Sequence, residues 1–113
     1  MQPSMVRAGK AAIVLSIEAR NIQLKAHHLH NLPKFYGRAD EDVMGFIKEF
    51  ELLISGVPLT VEGVTVTDEE IRKKVFPMCL QDKARSWLVN QPENSLPTWD
   101  SLYRAFMNKF YPP

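Results

Sequence analysis

The chain has 113 residues, 45% of them apolar, and a formal net charge of +1. That length suits one domain with a modest core, and the near-neutral total gives no electrostatic case for nucleic acid. No run approaches the roughly 20 apolar residues of a membrane span, and a single cysteine, Cys79, excludes a disulfide framework and a cysteine-rich zinc site.

In chain order, residues 1–10 hold Pro3, Ser4 and Gly9 and read as frayed. Residues 11–20 suit helix or strand, because Ile13, Val14 and Leu15 are consecutive apolars and periodicity does not arbitrate. The apolar run at 11–17 follows Arg7 and Lys10 and faintly mimics a secretory signal, but it lacks a small-residue cleavage site. Ile22-Gln23-Leu24 alternates weakly like a strand, and residues 25–31 suit a helical turn. Residues 1–34 carry five Lys/Arg against one acid, whereas residues 35–113 carry nine against twelve. The division expected is a partly ordered, mildly basic arm over 1–34 and a helical lobe over 35–113. Leu32-Pro33 and Tyr36-Gly37 mark the entrance to that lobe.

The clearest amphipathic helix is expected at 42–54, where Val43, Phe46, Ile47, Phe50, Leu53 and Ile54 share one face. Asp40 is the expected N-cap, with Glu41 and Asp42 at the positive end of the helix dipole. Gly45 costs roughly 1 kcal/mol against Ala inside a helix, which close approach of another backbone would explain as well as a tolerated defect. Residues 56–66 alternate Val and Thr around Gly63 and suit a short β-hairpin. Thr67 and Glu70 then make a capping box. A helix over 68–76 turns Ile71 and Val75 inward and Arg72, Lys73 and Lys74 outward, and Pro77 ends it.

Two further helices follow, at 81–90 and 98–110. Leu80, Ala84, Trp87 and Leu88 form the first stripe, and Leu102, Ala105, Phe106 and Phe110 the second. Thr98 is a good N-cap, while Pro92 and Pro97 break the chain between them. Each helix shows one apolar stripe, so the four must pack on each other.

The spaced set Leu80, Ala84, Trp87, Leu88, Thr98, Trp99, Leu102, Phe106, Lys109 and Phe110 resembles the Gag domain of gypsy-class LTR retrotransposons, plant elements most closely. Phe35-x-Gly37, residues 42–50 and residues 70–77 are similar to the same family in the same order, so the resemblance spans roughly residues 22–113. It implies an all-α fold: a four- to five-helix bundle of the retroviral-capsid N-lobe type, related to the neuronal Arc protein, with an N-terminal arm able to extend. It implies a structural capsid domain that assembles with copies of itself into a virus-like particle, and no enzyme. The alternative is a domesticated Gag-derived adaptor that captures an extended peptide in a groove between helices. Core and assembly candidates are Phe35, Phe46, Phe50, Trp87, Leu88, Trp99, Leu102, Phe106 and Phe110. In the Arc-like relatives an extended peptide lies in such a groove, and here Ile22, Leu24, Leu32 and Tyr36 are the candidates to fill it, in their own subunit or a neighbour's. The relatives bind RNA through a downstream zinc knuckle that this chain does not contain, so RNA is expected only weakly or through other regions. The chain stops about where a second capsid lobe begins in the family, so a fragment or a shortened Gag is expected.

Other chemistry finds little footing. His27, His28 and His30 sit close together, but a closed metal site needs about four ligands and no carboxylate or cysteine shares their turn. They are expected to be partly exposed and structurally indifferent, with no metal and no cofactor. Cys79 lies in the apolar run 76–80, where burial makes a thiol inert. The carboxylates of Asp40, Glu41 and Asp42 are explained by a helix start. Arg72, Lys73, Lys74, Lys83 and Arg85 read as a solvated helix face flanked by acids. The lone thiol fits a reducing compartment, and the expected location is cytoplasmic, with no membrane partner.

Overall fold

Helical stripes and short polar breaks produce, among the described residues, six helices and one hairpin. The structure, a computed structural model, describes residues 12–61 and 63–112. Two short helices, α1 (Ile17–Asn21) and α2 (Ala26–His30), precede the long α3 (Val43–Ser55). The strands β1 (Thr60–Val61) and β2 (Val64–Thr65) follow, then α4 (Asp68–Cys79), α5 (Asp82–Val89) and α6 (Trp99–Phe110). β1 and β2 pair antiparallel, Thr60 opposite Thr65 and Val61 opposite Val64. The body is therefore mostly helical, with one small sheet in the long α3–α4 connection. The frayed segment expected at residues 1–10 lies outside the described residues.

Local chemistry sets the helix starts. The carboxylate of Asp42 caps α3 by accepting from Gly45 N at 3.0 Å. Asp40, expected in that role, is exposed, and Glu41 instead accepts from Tyr36 N at 2.9 Å and Arg38 N at 2.7 Å. Glu41 thus folds the loop 36–41 onto itself and leaves the cap to its neighbour. No other backbone crowds Gly45: a Cβ there would meet the Asp42 carboxylate itself. Thr67 caps α4 by accepting from Glu70 N at 3.1 Å. Only half of the expected capping box forms, because the Glu70 carboxylate accepts from Ser16 N at 3.2 Å. At α6 the reciprocal pair is complete, with Thr98 and Ser101 each accepting the other's backbone N–H at 3.0 Å.

α4 does not end before Pro77, as expected, but runs through it to Cys79. Proline removes one hydrogen bond to the carbonyl four residues earlier. Here that loss falls in a turn flanked by Phe76, Cys79 and Leu80, all at 0% exposure. Each large apolar side chain so buried contributes about 1.5–3 kcal/mol, enough to hold the last turn helical.

The centre of the core is a phenylalanine cluster. Phe35, Phe50, Phe76 and Phe106 are all below 2% exposure. Phe76 touches Phe106 edge-on at 5.1 Å, and also Phe50 at 5.2 Å and Phe46 at 5.8 Å. Trp87 and Trp99 are half-buried on opposite flanks of the cluster. Trp87 stands edge-on to Phe110 at 5.6 Å, and Trp99 packs on Phe76 at 5.2 Å and Phe50 at 5.5 Å. The tryptophans clamp the rim; the phenylalanines fill the middle.

Phe35 ties the entrance segment to this cluster. Its N–H donates to Cys79 O at 2.9 Å and its carbonyl accepts from Gln81 N at 2.8 Å, a parallel bridge to the α4–α5 junction. Its ring meets Phe46, Phe106 and Phe110, each at 5.2 Å. α4 is enclosed around most of its circumference, burying Ile71, Lys73, Val75, Phe76 and Cys79. Lys73 is therefore not on a solvated face, contrary to the reading of residues 72–74 as outward.

Candidate functional site

Among the described residues, polar and apolar groups come together at the seat of the arm on α4 and in a cleft beside Trp87.

The seat is built by α4's lysines. Ala12 O accepts from Leu96 N at 3.0 Å, and Ile13 forms a parallel bridge with Leu96. The Lys73 ammonium donates to Val14 O at 2.6 Å and Pro97 O at 2.8 Å, and it lies 3.4 Å from the Glu70 carboxylate. One buried cation thus joins the arm, α4 and the turn before α6. Ser16 caps α1 by accepting from Ala19 N at 3.1 Å. At the other end of α1, the Lys74 ammonium donates to Ala19 O at 2.7 Å and Arg20 O at 3.1 Å. These are carbonyls that a five-residue helix leaves without internal partners, and a cation suits that end of the dipole. Burial lowers the Lys74 pKa from its ordinary value. Ala19 at 0% and Ile22 at 5% exposure complete the seat. Leu24, Leu32 and Tyr36, the other groove candidates, are half-buried. Arg72 takes no part, since it is held by Glu51 and Asp68, each at 2.6 Å. The bond to Glu51, then that to Asp68, raises its pKa further against the opposing effect of burial.

The second place is a cleft of about 580 Å³ between the loop 36–41, α5 and the end of α6. Trp87 and Phe110 line it, with Arg38, Lys83 and Lys109 around them. Gly37, at φ +87, lets the loop come this close: a Cβ there would lie 3.0 Å from Ala84 N and 3.2 Å from the Phe110 ring. The Arg38 guanidinium stacks 4.4 Å over the Tyr36 ring and reaches Asp82 at 3.8 Å, with both side chains largely exposed. Asp82 itself has φ +47 at the start of α5, a backbone state uncommon outside glycine.

Of the core and assembly candidates, Phe35, Phe46, Phe50, Leu88, Leu102 and Phe106 are buried, while Trp87, Trp99 and Phe110 are half-buried. Phe35, Trp87, Phe106 and Phe110 meet at the cleft side of the core, and Phe50 and Trp99 meet at the far side. His28 Nε2 lies 3.2 Å from Gly56 O at the end of α3, so this ring ties α2 to the body rather than standing indifferent. The side chain of His27 lies outside the described residues. Among the described residues no three of His, Cys, Asp and Glu converge as a metal site, and no helix is long and apolar enough to cross a membrane. Cys79 is fully buried, and burial pushes its pKa up to about 12.

The structural roles of Lys73, Lys74 and Arg38 had no signal in the sequence beyond a charge of ordinary spacing. Comparison of the chain with protein families, curated proteins and solved structures returns no match.

Proposed function

We propose that this chain is a structural lobe of the Gag capsid type, which associates with copies of itself to build a particle in the cytoplasm. The residues carrying the resemblance support this as scaffold parts. Leu80, Ala84, Leu88, Leu102 and Phe106 are buried together, with Trp87, Trp99 and Phe110 on their rim. The observation that carries self-association is on the surface: Leu52 of α3 is 76% exposed and Val89 of α5 is 70% exposed. Covering a large aliphatic side chain between copies contributes about 1.5–3 kcal/mol each. Sedimentation velocity from micromolar to millimolar protein tests the reading. The expected result is a mass that climbs with concentration and falls back in a Leu52→Asp, Val89→Asp variant. Electron microscopy of the concentrated protein then looks for closed particles. A monomeric mass across the whole range, in low and high salt, refutes it.

A second reading, an adaptor for extended peptides, is favoured by one observation. The flank of α4 and the strand-like stretch at Leu96 already accept an extended segment, the chain's own residues 12–16. An adaptor of this kind stays monomeric and binds an added peptide more tightly once residues 1–16 are removed.

A further inference from the structure

We propose that the cleft beside Trp87 binds single-stranded nucleic acid, one base resting against Trp87 and Phe110 and the flanking phosphates meeting Lys83, Lys109 and Arg38. The proposal does not depend on self-association.

The cations that line this cleft come from positions 38, 83 and 109, on three different elements. Lys83 and Lys109 are exposed and make no ion pair among the described residues, whereas Arg72, Lys73 and Arg104 all face acids. Arg38 holds Asp82 only at 3.8 Å in solvent, a contact of little worth. Glu41 also lines the cleft, its carboxylate held by the Tyr36 and Arg38 amides, so three cations face one acid. The result is a local excess of positive charge that the total of +1 conceals. Aromatic side chains flanked by cations are the pattern of non-specific single-strand sites, where bases stack and phosphates pair. An extended peptide fits less well. Pairing by strand addition needs a free backbone edge, and both backbone groups of Phe35, the nearest strand-like residue, are taken by Cys79 and Gln81.

The test is fluorescence anisotropy of a labelled oligo-dT of about 12 nucleotides, a length within the usual site sizes of single-strand binders, at low micromolar protein. Three phosphate contacts predict that affinity falls about 18-fold between 50 and 200 mM salt, from a slope of about −0.7 per contact. In a Lys83→Gln, Lys109→Gln variant one contact remains, and the same salt step weakens binding only about 2.6-fold. All substituted positions are exposed, and circular dichroism verifies the fold. A control variant, Lys25→Gln with Lys48→Gln, has the same net charge and is expected to bind within about twofold of the parent. An abasic oligomer of equal length is expected to bind several-fold more weakly. The proposal is overturned if the oligomer does not bind at low salt or if the control weakens binding as much as the cleft variant. It is equally overturned if the abasic strand or an oligoglutamate of equal charge competes as well as the strand carrying bases.

Discussion

Gly37→Ala isolates how the entrance loop is fastened to the helical body. Gly37 has φ +87, where an L side chain costs about 1–2 kcal/mol. A Cβ there would also stand 3.0 Å from Ala84 N, 3.1 Å from Lys83 Cβ and 3.2 Å from Phe110 Cε1. The Ala84 amide cannot retreat freely, because it donates to Gln81 O at 3.0 Å and Tyr36 O at 3.2 Å in the first turn of α5. Crowding of this kind costs about 1–3 kcal/mol. The sum, about 2–5 kcal/mol, is a large part of the roughly 5–15 kcal/mol by which small domains are stable. Gly63→Ala is the internal reference: its φ is +82, but a Cβ there meets nothing within 4 Å. It is expected to cost only the backbone part, about 1–2 kcal/mol. Urea denaturation followed by circular dichroism measures both variants, with an unchanged m-value licensing the comparison. The steric reasoning is refuted if the two variants agree within about 0.5 kcal/mol, a margin comparable to ordinary surface substitutions.

Lys73→Met strands the half-buried Glu70 carboxylate and the Val14 and Pro97 carbonyls; the expected cost is about 3 kcal/mol, with hydrogen-exchange protection lost first at Ala19 and Ile22. Removal of residues 1–31 uncovers the same seat and is expected to lower the melting temperature or to raise the oligomer size; a change in neither refutes the account of the arm. Thr98→Ala removes one half of the α6 capping pair and is expected to cost about 1 kcal/mol by thermal melting. Burial raises the folded-state pKa of Cys79 to about 12, so the folded chain keeps its thiol proton where the unfolded chain has lost it. The stabilisation is complete below about pH 8.5, the ordinary thiol value, and is lost as pH rises towards the folded value. The slope in that window is at most about −1.4 kcal/mol per pH unit. Denaturation midpoints of the parent between pH 8 and 10 are expected to fall more steeply than those of Cys79→Ala, and parallel curves refute the assignment.

What was legible in the sequence was local. The stripes of α3, α5 and α6 and the Thr67 and Thr98 caps rest on contacts within a turn or two, and spacing reports such contacts directly. The hairpin around Gly63 belongs to the same class. The choice among Asp40, Glu41 and Asp42 as cap was not legible. It depends on Glu41 being occupied by the loop amides, and that loop takes its course from a glycine packed against α5. Pro77 misled for the opposite reason. Its local veto is real, but burial of Phe76, Cys79 and Leu80 from other parts of the chain outweighs it. The cleft escaped notice because its three cations lie far apart in the sequence and form no charge run.

Lys73 draws these threads together. At a position two residues from Ile71 and two from Val75, it falls off the apolar stripe, and in an isolated amphipathic helix it would face water. α4 is not isolated, since α1, α3 and α6 all pack against it. A helix covered on three sides has no dry face left for polar chain to avoid, so the carbonyls of the covering arm and turn need a donor there. A lysine supplies three N–H groups on one long stem, and here they reach Val14 O, Pro97 O and the Glu70 carboxylate. The same residue type that marks a solvated face in a two-layer bundle therefore marks a central helix once an arm closes over it. The arm's basic character also follows a physical logic: Arg20, Lys25 and Lys34 stay at the surface, while the cations that seat the arm come from α4.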